Sequence, residues 1–198
     1  KLQDPGSAEA VWFAEHMTGF APLCYWDGGW FQQIIATGYH YAPAAAGQQY
    51  NIAYFPLYPL ICRVIAEACS GFKSDLAAPV HLPLIRGVMI AVSHVAGLAA
   101  ALLMYLWIRG QCGHRPAVYA TAALLCMPTA CYLSFGYSES LAILLTLGAA
   151  MAVTSRRFLL AALMVALATA TRPTAAAHDL LEQAEARLLE MRGHDSGV

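Results

Sequence analysis

Three ionisable side chains stand out in a chain that has few of them: Asp27 in YWDGGWFQQIIATGY (25–39), Glu139 in YSESL (137–141) and Arg172 in TRPT (171–174). A positioned carboxylate can act as general base toward a hydroxyl. A guanidinium can bind an anion through two parallel hydrogen bonds, which suits a phosphate. Each residue also has a plainer reading. Asp27-Gly28-Gly29 has the composition of a turn, with Trp26 and Trp30 as interfacial anchors. Glu139 can be an acid favoured at a helix N-terminus, and Arg172 a snorkelling arginine that ends a helix. Arg63 is a second cation, with Glu67 four residues on as its solvated partner.

Which reading holds depends on where the chain positions these groups. It has 198 residues, 59% of them hydrophobic and only 12% charged. Its mean hydropathy is +0.53. Soluble domains carry roughly 25% charged residues, so lipid is expected as part of the solvent. A formal net charge of −1 leaves no basic footprint for nucleic acid. The six cysteines (24, 62, 69, 112, 126 and 131) form no CxxC pair, although a bridge among Cys24, Cys62 and Cys69 is open in an oxidising compartment. The histidines are scattered, and no residue pattern requires a metal or cofactor.

Residues 8–17 are expected to form a short helix, and 39–50 a loop. In the segment 51–72, Pro59 suits the first turn of a helix. That helix would place Leu60, Ile61, Val64, Ile65 and Ala68 on one face, with Arg63 and Glu67 on the other. Such a helix fits either the membrane interface or the protein's own core. Four apolar runs follow: Gly87–Ile108, Val118–Ser138 with a kink at Pro128, Ser140–Ser155 and Phe158–Thr171. The first two are free of charge, and the last two are short for a span. Residues 175–198 carry an amphipathic stripe (Leu180, Leu181, Ala184, Leu188, Met191) and no evident chemistry.

Arg109 and Arg115 flank the loop after the first run, and Arg156 with Arg157 fills the loop after the third. The positive-inside rule makes both loops cytoplasmic. Tyr137–Glu139 and Arg172–Thr174 then emerge on the other side. If 51–72 lies flat, Asp27 shares that side, and three polar groups converge on one rim.

The motifs WDG-x-WF…IA-x-x-GY, FPLYPL (55–60), YSESL and TRPT, in this order, resemble the PIG-V-type mannosyltransferases, multi-spanning glycosyltransferases of the GT-C class. The resemblance covers roughly residues 25–174, and the FPLYPL and YSESL forms look more like bacterial members than animal ones. It implies transfer of a sugar, typically mannose, from a polyprenyl- or dolichyl-phosphate carrier to a hydroxyl acceptor such as a growing GPI-anchor glycolipid. The reaction would occur on the non-cytoplasmic face of the bilayer, in a bacterial cell membrane or the eukaryotic endoplasmic reticulum. The resemblance assigns the base to Asp27. The leaving lipid phosphate needs positive charge rather than a second carboxyl acid. Arg172 is the first candidate for it, and Arg63 the second. Glu139 can orient acceptor hydroxyls or pair with Arg172. Trp26, Trp30 and Tyr39 can stack on sugar or anchor the loop, with Gly28 and Gly29 giving close approach or positive φ.

Members of that family carry a membrane helix before the Asp loop and further spans after TRPT. Ala175 also stands where glycine is common, so a partial enzyme is expected. The expected architecture is an all-α integral membrane bundle. Residues 1–83 would be an extracytoplasmic segment, 84–174 four spans and 175–198 a polar tail. A non-catalytic transporter or assembly subunit is the alternative, as is another GT-C activity moving a different sugar.

Overall fold

The computed structural model describes residues 19–40, 51–71, 76 and 81–172. Every regular element among them is helical. The six α-helices are α1 (Asp27–Thr37), α2 (Leu57–Cys69), α3 (Leu82–Cys112), α4 (His114–Cys126), α5 (Glu139–Thr154) and α6 (Phe158–Thr171). Three 3₁₀ segments, Ala21–Cys24, Asn51–Ala53 and Pro128–Ser134, join them. The expected helix over 8–17, the loop at 41–50 and the tail at 175–198 lie outside the described residues.

α3 is the backbone of the fold. Its 31 residues extend about 46 Å, more than the ~30 Å of hydrocarbon in a bilayer. It starts before the expected Gly87 boundary, with Pro83 in its first turn, and so takes in Arg86. The charge is accommodated because Arg86 Nε donates to Gln32 Oε1 at 2.8 Å. At the other end Gly113 adopts φ 89°, and its N–H caps the Arg109 carbonyl at 3.1 Å.

The four expected spans are not four long helices. Only α3 among the described residues is long and apolar enough to cross a membrane by itself. The Val118–Ser138 run is broken rather than kinked: α4 ends at Cys126, and Pro128–Ser134 leaves it at 78°. Pro128 is the cause, because it pushes Met127 into an extended conformation (φ −64°, ψ 148°) and supplies no N–H. α5 and α6 are apolar helices of 16 and 14 residues, about 24 and 21 Å long.

α2 departs from its periodicity in an informative way. It buries Tyr58, Pro59, Cys62 and Ala66 against the core, while Leu60, Val64 and Ile65 of the expected apolar stripe are exposed, which goes against the core alternative for that stripe. Tyr58 decides this. Its ring fills the space beside Phe31 and Ile35, and its hydroxyl reaches the Met89 carbonyl and Ser93 Oγ, both at 3.0 Å. Ser93 in turn donates to the Tyr137 carbonyl at 2.9 Å, so the buried polar groups here are paired. Cys24 and Cys62 are buried beside this core, and all six cysteines are free thiols. The Cys24–Cys62–Cys69 bridge is therefore absent.

α3 and α5 run in the same direction. A Cβ at Gly97 would lie 3.4 Å from Ser140 Oγ, and further along Trp107 Nε1 donates to Thr154 Oγ1 at 3.3 Å. That pairing brings the Arg109–Arg115 and Arg156–Arg157 connections to one end of the bundle. Tyr137, Glu139 and Arg172 lie at the opposite end with α1.

Candidate active site

An open cleft of about 580 Å³ lies at that end, lined by Trp26, Asp27, Tyr132, Phe135, Tyr137, Glu139 and Arg172. Asp27 is the first residue of α1, where the helix dipole favours a carboxylate. The Asp-Gly-Gly stretch is therefore a helix start and not a turn. Positive φ falls on Trp26 (φ 56°, ψ −120°), not on Gly28 or Gly29. Backbone of this kind is costly for a bulky residue and is held by its surroundings. Trp26 is 80% exposed, with its indole at the cleft.

Several contacts hold the segment before Asp27. Gly136 N–H donates to the Leu23 carbonyl at 2.8 Å, and Tyr137 hydroxyl donates to the Tyr25 carbonyl at 2.8 Å. Gln32 Nε2 donates to the Cys24 and Gly28 carbonyls at 2.7 and 3.1 Å, while Arg86 secures Gln32 from the other side. Two glycines allow the close approach. A Cβ at Gly28 would stand 3.2 Å from Tyr137 Cε1, and one at Gly136 would stand 2.7 Å from Cys24 Sγ. Burial pushes the Cys24 thiol up to about 11, with Arg86 pulling weakly the other way, so it is a packed thiol and not a nucleophile.

Among the described residues, Tyr54 is the donor to the Asp27 carboxylate: its hydroxyl donates to Oδ1 at 3.1 Å. Tyr54 stacks on Trp30 with ring centroids 6.0 Å apart, and Tyr39 hydroxyl donates to the Tyr54 carbonyl at 2.9 Å. Asn51, 1% exposed, donates to the Gly38 carbonyl and accepts from His40 N–H. Across the cleft Glu139 begins α5, and Arg172 caps α6. Arg172 Nη1 donates to Glu139 Oε1, so the two residues are paired across the helix ends. Tyr137 lines the same cleft as both carboxylates. Burial first, then the Asp27 and Glu139 charges, push its phenol up to about 12.

The structure thus brings Trp26, Asp27, Glu139 and Arg172 of the expected residues to one cleft. Trp30 and Tyr39 do not line the cleft; both contact Tyr54. Arg63 is elsewhere: it pairs with Glu67 at 2.8 Å on α2 and does not line the cleft. Sequence reasoning missed Tyr54, Tyr132, Phe135, Gly136 and the Arg86–Gln32 clamp. Tyr54 immediately precedes FPLYPL and Tyr137 opens YSESL, so their places beside quoted motifs were the available signal. Among the described residues, no group of three His, Cys, Asp or Glu side chains could hold a metal ion.

A family model described as Mannosyltransferase (PIG-V) matches residues 4–182. A curated protein, GPI mannosyltransferase 2 of Drosophila pseudoobscura pseudoobscura, is 26% identical over 119 residues, covering 60% of this chain and 24% of that protein. The chain spans about a quarter of the length of that relative. No solved structure matches the chain.

Proposed function

The chain belongs to the PIG-V mannosyltransferase family, and from that premise we propose that it transfers mannose from a polyprenyl- or dolichyl-phosphate carrier to an acceptor hydroxyl. The observation that carries the proposal is the single cleft shared by Asp27, Glu139 and Arg172, which come from three distant parts of the chain. In this reading Asp27 takes the proton from the acceptor hydroxyl as its oxygen bonds to C1 of the sugar. The bond from C1 to the carrier phosphate breaks, and its electron pair leaves on the phosphate oxygen. A phosphate departs without a proton, so one base suffices and no second acid is needed. Arg172 offers the guanidinium that takes up the developing charge, with Glu139 orienting it. The exposed indole of Trp26 is placed to stack on a sugar ring.

Arg63 has no part in this scheme, because its guanidinium is engaged with Glu67 away from the cleft. We place the reaction on the non-cytoplasmic face of a bacterial cell membrane or of the endoplasmic reticulum, with the paired-arginine loops on the other side. In the same reading the short helices α5 and α6, and the bent α4 segment, join α3 within a GT-C-type bundle, and a GPI-type glycolipid is the acceptor. A transporter would place its polar groups near the bilayer midplane, whereas these gather at one rim.

The test is donor-dependent transfer in proteoliposomes. Radiolabelled mannose supplied on polyprenyl phosphate should pass to a glycolipid acceptor, and mannose supplied on a nucleotide should not. Uptake of a solute with no lipid-linked sugar present, and no labelled product with it, would favour transport instead.

A further inference from the structure

We infer that Tyr54 is a positioning residue for Asp27: its hydroxyl holds one carboxylate oxygen so that the other faces the cleft. This rests on the reading of Asp27 as base, and deepens it. The bond from Tyr54 hydroxyl to Asp27 Oδ1 spans 27 residues and measures 3.1 Å. Asp27 lines the cleft and Tyr54 does not, so the bond ties a cleft residue to one outside the lining. A carboxylate at the first position of a helix rotates about its side-chain torsions unless something holds it. One fixed oxygen leaves the second with a defined direction for accepting a proton, and orientation of this kind governs rate.

Two aromatic rings hold the phenol, and a hydrogen bond holds its main chain. Trp30 stacks on the ring at an interplanar angle of 23°, and Phe31 meets it edge-on with centroids 5.4 Å apart. Tyr39 hydroxyl bonds to the Tyr54 carbonyl. The aromatic residues around the Asp27 motif therefore serve a second purpose besides meeting sugar or lipid: they build the seat for one hydroxyl. Burial first, and the Asp27 charge second, push the Tyr54 phenol up to about 12, so it stays a donor throughout any working pH range.

Tyr54→Phe keeps the ring contacts and removes only the hydroxyl. Transfer measured against pH should show kcat reduced about tenfold, the donor KM unchanged, and the acid limb of the kcat profile moved to higher pH, because a donor to the charged carboxylate is gone. A merely structural role would leave that limb in place. A second measurement needs no Tyr54 variant. With ¹³Cζ-labelled tyrosine, the Tyr54 phenol should titrate lower in Asp27→Asn than in the wild type, as linkage requires if the two groups are bonded. An unmoved Tyr54 titration, or a Tyr54→Phe protein with wild-type kcat and acid limb, overturns the positioning role. Asp27→Asn separates the two claims: normal turnover in that variant removes the base assignment itself, whereas a dead Asp27→Asn beside a wild-type Tyr54→Phe removes the inference alone.

Discussion

Gly136→Ala is a small change with a large expected effect, because the cleft depends on how closely residues 23–28 lie against 136–137. The new methyl would start 2.7 Å from Cys24 Sγ, where an ordinary contact is about 3.5–4.0 Å. It cannot escape the other way, since Met89 Cβ and Cε stand at 3.2 and 3.3 Å. It cannot slide along the chain without stretching the Gly136 N–H bond to the Leu23 carbonyl, a loss of about 1 kcal/mol. Overpacking of this kind costs about 1–3 kcal/mol. Relief must come from the Cys24 segment moving out by something near 1 Å, which carries Asp27 with it and away from Arg172. A displacement of that size costs roughly a hundredfold in rate. The assay is mannosyl transfer in proteoliposomes alongside the melting temperature. Adding Cys24→Ala removes the sulfur that the methyl meets, so the double variant should recover much of the lost rate, a non-additivity expected of residues in contact. Wild-type rate and melting temperature in Gly136→Ala would refute the claim that this close approach places the carboxylate.

Arg172→Gln should raise the donor KM about tenfold or more while changing stability by less than about 1 kcal/mol, because its ion pair with Glu139 is 45% exposed on the arginine side. Steady-state kinetics and thermal unfolding check this together. Tyr137→Phe should cost about 1 kcal/mol by removing its hydroxyl's bond to the Tyr25 carbonyl, which keeps the Gly28 N–H as donor, measured by denaturation in detergent. The folded Tyr137 phenol is raised from 10.0 to about 12, so its contribution is complete below pH 10 and is lost as pH rises from there through about 12. Cysteines placed at Tyr41 and Thr174 should label from one side of the membrane, and cysteines at Gly113 and Ser155 from the other. Labels of Tyr41 and Thr174 from opposite sides would break the shared rim.

Much of the helical architecture was legible because long charge-poor runs are a strong signal. The charge-poor run within α3, the short runs at α5 and α6, and the arginine loops between them all follow from residue type and length. The break at Pro128 was half legible: the proline marks a disturbance, but whether a helix bends or stops depends on what packs against it. The facing of α2 was not legible, because periodicity gives Leu60, Val64 and Ile65 the same claim on the core as Tyr58, Cys62 and Ala66. Only the partners on Met89 and Ser93 settle it, and these lie about thirty residues away. The site divides the same way. Asp27, Glu139 and Arg172 are conspicuous as charges in apolar sequence. Tyr54 and Gly136 are not, since one is a tyrosine among ten and the other a glycine among fifteen. What distinguishes them is a contact partner far along the chain. For Arg63 the sequence offered two readings, a phosphate cation and a partner of Glu67, and the structure shows the pair with Glu67.

The most direct test of the account is the transfer rate of Asp27→Asn from polyprenyl-phosphate-mannose, measured with donor affinity on the same preparation. The amide keeps the size of the side chain and can still meet the Tyr54 hydroxyl, but it cannot take a proton from the acceptor. The expected result is a fall of about 10³-fold in rate with donor affinity essentially unchanged. A rate within a few-fold of the wild type would contradict the account, because it would mean that the acceptor hydroxyl loses its proton to some other group.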